Sequence, residues 1–123
     1  MTWLHDLCYL FGGAFFANAV PHMVSGMMGR PFQSPFAKPP GQGLSSSTVN
    51  VLWGGANLVA AYCLIFQVGR IDLHAVDQAG AIGGGVLLSA MLAARLFGRF
   101  HGGNAPSVSA SGQRPVRSKA TRA

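Results

Sequence analysis

Two apolar segments of the chain carry polar and ring side chains at helical spacing. They are Asn18, His22 and Ser25 in the first segment, and Asn50, Trp53 and Asn57 in the second. Residues three, four and seven positions apart lie on one face of an α-helix. Amide and imidazole groups on such a face either join helices by hydrogen bonds or line a site for a ligand. The spacing therefore defines a candidate intramembrane polar cluster.

His22 permits three kinds of chemistry. It can join two helices by a hydrogen bond, which is the ordinary role of such a group. A proton relay needs a carboxylate nearby, and none of the three acids lies at its depth. Copper or haem iron can be bound by histidine with methionine, but no spacing of further ligands supports such a site. The methionines within the apolar segments are Met23, Met27, Met28 and Met91. We expect no metal and no cofactor.

Catalytic patterns are missing from the sequence. It shows no nucleophile beside a base, no paired carboxylates, no phosphate-binding loop and no cluster of metal ligands. Acid–base catalysis needs titratable groups close to the reacting atoms. The sequence therefore predicts a protein that is not an enzyme.

The composition is that of a chain whose solvent is mostly lipid. Half of the 123 residues are hydrophobic and only 10% are charged, against roughly a quarter in soluble domains. About 20 apolar residues in a helix cross the ~30 Å hydrocarbon layer. Three such stretches occur, at about residues 7–29, 49–68 and 78–97. The sequence predicts an all-α integral membrane protein with a three-helix domain at residues 1–101.

Depth in the membrane can be compared by counting residues from the shared end of the first two helices. Asn18 and Asn57 lie ten and nine residues from that end, near ~14 Å at 1.5 Å per residue. His22 and Trp53 share a lower level, and Asn50 lies lower still. The two polar faces therefore meet if the helices pack antiparallel. They either hold the helices together or form a polar pocket in the inner leaflet.

The connection between the first two helices is rich in Pro, Phe and Gly. The pairs Pro31–Phe32 and Pro35–Phe36 place two rings four residues apart. Two interpretations remain: a spacer with phenylalanines at the membrane interface, or an ordered cap on the helix bundle. Small residues also mark helix faces that can pack closely. We assign this role to Gly54, and to Gly80 and Gly84, which form a GxxxG step.

Basic residues are distributed unequally about the three helices. Arg30, Lys38, Arg95 and Arg99 flank one side, and Arg70 alone flanks the other. The positive-inside rule predicts an inner-membrane protein with its N-terminus outside and its C-terminus in the cytoplasm. Residues 102–123 read as a disordered basic tail that binds anionic lipids rather than nucleic acid. Its basic residues are Arg114, Arg117, Lys119 and Arg122.

Two functions fit these features. The first is a structural or accessory subunit that packs through glycine-rich helices against the same chain or another membrane protein. The second is a homo-oligomeric carrier or channel for a small solute. In that case the pocket is lined by Asn18, His22, Trp53 and Asn57.

Overall fold

The computed structural model describes residues 3–104, which form three helices and a short hairpin. Helix α1 is Trp3–Met27, α2 is Ser47–Tyr62 and α3 is Val76–His101. Strands β1, Phe32–Gln33, and β2, Leu44–Ser45, lie between α1 and α2. A π-helical turn, Cys63–Gln67, continues α2. Helix α1, helix α3 and the segment formed by α2 with its π-helical turn are each long and apolar enough to cross a membrane. The mostly helical architecture expected from the composition is therefore confirmed, and three such segments are consistent with a multi-pass membrane protein.

The helices start earlier than the apolar runs suggest, and α3 also ends later. α1 begins at Trp3, where the acidic Asp6 lies in the first turn, and a negative charge there is favourable to the helix dipole. α3 continues past the expected end near residue 97, to His101. It stops at Gly102, whose φ of 75° is a left-handed conformation that glycine adopts without strain. The apolar runs therefore understate the lengths of α1 and α3, because the terminal turns of these helices carry charged residues.

Helix α1 lies in the middle of the bundle and packs against both α2 and α3, which scarcely meet each other. The close approaches occur at glycines. A Cβ on Gly13 would overlap the backbone of Ile82 in α3, and one on Gly85 would overlap the backbone of Leu10. On the other side, a Cβ on Gly26 would lie 2.6 Å from Val51 Cγ2 in α2. Backbone contact through glycine therefore sets both helix pairs.

The three glycines assigned to helix packing have different surroundings. Gly54 is buried, and a Cβ there would lie 2.7 Å from Met23 Cγ in α1. Gly80 and Gly84 have no atom of the described chain within 4 Å of an added Cβ. The contact between α3 and α1 is made by Gly85 instead, on the neighbouring face.

The connection between α1 and α2, residues 30–46, folds over one end of the bundle. We call it the cap, and this end the loop end. Phe32 pairs with Ser45 and Gln33 with Leu44 in antiparallel register. Phe32, Gln33 and Ser34 are buried. Of the other residues assigned to a loop cap, Pro31 and Pro35 are exposed. Phe36 is 63% exposed. Its ring contacts the ring of Trp53 edge to face, with the ring centroids 5.1 Å apart.

Two sequence features remain, the pair of cysteines and the basic tail. Cys8 and Cys63 are both free thiols. Residues 105–123, which hold nearly all of the predicted basic tail, lie outside the described residues. The prediction of a lipid-binding tail therefore stays a prediction.

Adjacent glycines of α3 should respond oppositely to the same change. Gly85→Ala forces a methyl group against the backbone at Leu10, and overpacking of this kind costs about 1–3 kcal/mol. Gly84→Ala meets open space, and alanine favours a helix over glycine by up to about 1 kcal/mol. We expect only Gly85→Ala to lower the free energy of unfolding, measured by helical circular dichroism in detergent. Equal losses in both variants would contradict the packing described.

Candidate functional site

Asn50, near the start of α2, is the most highly bonded side chain at the loop end. It is completely buried. The two hydrogens on its Nδ2 are shared among three carbonyl oxygens, those of Phe32 at 3.2 Å, Ser45 at 3.1 Å and Ser46 at 3.0 Å from the nitrogen. Its Oδ1 lies 2.8 Å from Nδ1 of His22 in α1. One amide thus joins α1, both strands of the cap and the first turn of α2.

The bonds of Asn50 also determine which nitrogen of His22 carries hydrogen. Carbonyl oxygens only accept hydrogen bonds, so the amide nitrogen of Asn50 must face them. Its oxygen then faces His22, and Nδ1 of that ring must be the donor. Nε2 is left with a lone pair in the neutral ring. Within residues 3–104 no hydrogen bond involves Nε2.

A second chain of bonds orients Asn18 in the same way. Nδ2 of Asn57 donates to the carbonyl oxygen of Trp53 at 2.7 Å. Oδ1 of Asn57 then accepts from Nδ2 of Asn18 at 3.0 Å. The oxygen of Asn18 therefore points away from this pair, and no hydrogen bond among the described residues reaches it.

Aromatic rings surround the imidazole of His22. Ring centroids lie 5.5 Å away for Phe32, 6.3 Å for Phe97 and 6.5 Å for Trp53. All three pairs are close to perpendicular, a favourable arrangement for aromatic quadrupoles. His22 itself is only 2% exposed. The rings exclude solvent from most of the imidazole.

The last turn of α3 completes the loop end. The ring of His101 stacks on Phe32, with centroids 5.7 Å apart and planes within 5°. Its Nε2 lies 3.2 Å from Oε1 of Gln33, which is also buried. Phe97, one turn earlier, contacts Phe32 at 4.7 Å between centroids. The cap thus lies over the end of α1, where it contacts α2 on one side and α3 on the other.

Two adjoining cavities open on the face of α1 that lies between α2 and α3. One, of about 170 Å³, lies under the cap, and the other, of about 240 Å³, lies further toward the middle of the bundle. Asn18 and Trp53 line both. We call the two cavities together the cleft. Its other polar residues are His22, Gln33 and Ser34 under the cap, and Asn57 and Ser89 in the middle.

The five residues of the predicted polar cluster come together in this region. They are Asn18, His22, Asn50, Trp53 and Asn57. Hydrogen bonds join them in pairs, as helix packing requires, and all but Asn50 also line the cleft. The structure thus contains features of both interpretations.

Several residues of the site were not singled out from the sequence, among them Gln33, Phe97 and His101. Phe97 and His101 are four residues apart, so they share a face of α3. That signal was available, but the helix was expected to end at residue 97. Gln33 lies in a loop whose composition gave no indication of strand pairing.

A larger cavity lies elsewhere and is apolar. It is a groove of about 510 Å³ between α1 and α3, and His101 is the one ionisable residue in its lining. Its walls are otherwise alanine, valine, proline, glycine and phenylalanine. It offers mainly hydrocarbon contact, whereas the cleft offers several side chains that form directed hydrogen bonds. We therefore take the smaller cleft as the candidate site.

The cleft has hydrogen-bonding groups but little material for proton transfer. Neither of its cavities is lined by Asp, Glu, Lys or Arg. Within residues 3–104, no group of three or more His, Cys, Asp or Glu side chains is placed to hold a metal ion. What the arrangement can do is orient a polar molecule between neutral acceptors and aromatic rings.

Comparison with known proteins gives no relative. No protein-family model matches the chain, and neither a curated protein nor a solved structure is significantly similar to it. Any function must therefore be argued from the geometry of the cleft and of the helix faces.

Loss of the Asn50 amide should loosen the cap. Asn50→Ala removes the amide that contacts the carbonyl oxygens of Phe32 and Ser45 and Nδ1 of His22. Each buried polar group left without a partner costs about 1–3 kcal/mol. We expect a fall of at least about 2 kcal/mol in unfolding free energy. Amides of Gly41 and Gly43, bonded within the cap, should exchange with deuterium faster.

Gln67→Ala is the matched control, because it removes an exposed hydrogen bond to Tyr62 at the other end of the bundle. Surface changes of this type alter stability by less than about 0.5 kcal/mol. Unchanged cap exchange in Asn50→Ala would show that Asn50 does not hold the cap.

Proposed function

We propose that the chain is a small inner-membrane protein without catalytic machinery, acting as a structural or accessory subunit. The observation that carries this proposal is the outward face of α3. Gly80 and Gly84 lie there with open space around them. Glycines on a membrane helix allow the backbone of another helix to approach closely. Within the described chain no helix uses that face, so the proposed occupant is a helix of a second copy or of another membrane protein.

The burial of the three helices supports the same proposal. Only 6% of the membrane-length part of α3 is buried, against 28% for α1 and for the segment formed by α2 and its π-helical turn. Large apolar side chains continue the glycine face toward the loop end: Leu87, Leu88 and Met91 are each more than half exposed. The small residues allow a partner helix to approach closely, and the large residues that follow give it a large area of contact.

The proposed orientation places the N-terminus outside and the loop end at the cytoplasmic surface. Its support is the position of basic residues. Arg30 and Lys38 lie in the cap, and Arg95 and Arg99 lie in the last two turns of α3, at the same end. Basic residues close to helix ends favour the cytoplasmic side. Anionic lipids of that surface are the proposed partners of the C-terminal tail.

Bulky substitutions on the outward face of α3 test the accessory role. Gly80→Leu combined with Gly84→Leu fills the space that a partner helix would need, and a Cβ added at either position has no atom of the described residues within 4 Å. We expect association with the partner to weaken at least about tenfold, equivalent to 1.4 kcal/mol. The measurement is native mass spectrometry after purification in mild detergent.

Gly55→Leu serves as the control, since Gly55 also faces open space but lies on α2. It should leave the assembly intact, and all variants should keep wild-type helicity. A wild-type protein that is monomeric and free of other polypeptides would overturn the accessory role, as would a double variant that retains its partner.

A second candidate, a small-solute carrier or channel, is favoured by the cleft. Asn18, Trp53 and Asn57 line a cavity inside the span of the helices, and polar residues there often mark a solute pathway. This candidate predicts solute flux through vesicles that contain the purified protein. Trp53→Ala and Asn57→Ala should abolish glycerol flux but preserve helicity. Flux that is absent from the wild type, or normal in both variants, excludes this candidate.

A further inference from the structure

We propose that the cleft binds a small neutral polyol, held by hydrogen bonds to Nε2 of His22 and Oδ1 of Asn18. Both residues are on α1, four positions apart, so they follow one another on the same face. Side chains at this spacing have Cβ atoms about 5–6 Å apart. The two acceptors are therefore placed for two hydroxyl groups of one small molecule.

The two groups are acceptors because of bonds made behind them. Three backbone carbonyls orient Asn50, which requires hydrogen on Nδ1 of His22. The carbonyl of Trp53 orients Asn57, which requires the amide nitrogen of Asn18 to face it. In each case the protein uses the donor and leaves the acceptor. A ligand must therefore bring donors.

Both acceptors remain accessible to a ligand, although His22 is only 2% exposed. The fully buried side-chain atoms without a partner in residues 3–104 are His5 Nδ1, Asp6 Oδ1 and Tyr9 Oη. Neither acceptor belongs to that set, and His22 and Asn18 both line the cavity under the cap. An unbonded nitrogen on a side chain this deeply buried, facing a cavity, indicates a ligand rather than bulk solvent.

The lining of the cleft indicates a neutral ligand. No acidic side chain lines either cavity, so a bound cation would have no counter-charge. An uncompensated charge in an apolar surrounding is strongly unfavourable. Trp53 and Phe97 supply ring surfaces against which the C–H groups of a polyol can pack. Hydroxyl donors on a compact carbon skeleton fit this combination.

The volume of the cleft suits a small polyol. The cavity under the cap measures about 170 Å³, roughly the volume of five or six waters at about 30 Å³ each. The adjoining cavity adds about 240 Å³. A polyol of three or four carbons is compatible with these volumes.

This inference goes beyond the accessory role and needs neither a partner helix nor flux. A protein that binds a polyol in the cleft without transporting it satisfies the inference and still excludes the carrier. Loss of partner binding on α3 would leave the inference intact. The measurement must therefore detect occupancy of the cleft directly.

Nitrogen NMR of ¹⁵N-histidine-labelled protein in lipid nanodiscs provides that measurement. The His22 resonances are identified by their loss in His22→Gln. Without ligand we expect protonated Nδ1 and bare Nε2. Glycerol should then shift the Nε2 resonance saturably, as this nitrogen begins to accept a hydrogen bond. The compound 1,2-dimethoxyethane has two oxygens and no donor, so it should give no saturable shift.

Asn18→Leu removes the second acceptor and should weaken the glycerol response about fivefold, because a hydrogen bond contributes about 1 kcal/mol. Gln67→Ala should not change it. Protonated Nε2 in the ligand-free protein, an unsaturable shift, or an equal response to 1,2-dimethoxyethane would each overturn the proposal. Saturation by methylammonium but not by glycerol would also overturn it, in favour of a cation site. The ligand-free and probe comparisons use wild-type protein, so misfolding of a variant cannot mask these outcomes.

Discussion

The carboxamide of Asn50 connects parts of the chain that are far apart in sequence, and the loop end depends on it. Hydrocarbon offers no water to satisfy polar groups, so each buried donor and acceptor must find a partner within the protein. Asn50 shares its two amide hydrogens among three carbonyl groups and accepts a hydrogen bond from one imidazole. In doing so it fixes the cap on α2, the ring of His22 on α1, and the direction in which the remaining nitrogen of that ring points.

The second constraint is the central position of α1. Glycines on two of its faces bring the backbones of α2 and α3 close, and α2 and α3 are thereby held apart. The cleft is the space left between them. Its polar residues come mostly from α1, α2 and the cap, whereas α3 contributes Phe97 and Ser89. The packing and the site therefore have the same cause. Helix α1 lies in the middle of the bundle, with small residues on its faces toward α2 and α3 and polar residues on its face toward the cleft.

Much of this arrangement could be predicted by counting residues along helices. Equal depth brought Asn18 to Asn57 and His22 to Trp53, because a helix rises by a fixed amount per residue. The partner of His22 was less accessible, since Asn50 lies a turn lower and is brought to the ring by the direction of its side chain. The face of α3 that packs against α1 could not be predicted either. Gly84 and Gly85 are alike in sequence, and only the tertiary contact with Leu10 distinguishes them. The pairing of β1 with β2 depends on the same amide and has no local signature.

Phe32 packs against residues that come much later in the sequence. Its neighbours Phe97 and His101 belong to the end of α3, so during synthesis Phe32 is made well before either of them. Until α3 joins the bundle, this ring has no aromatic cover from that helix. A polypeptide that stopped before α3 would therefore leave the faces of Phe32 that meet Phe97 and His101 uncovered.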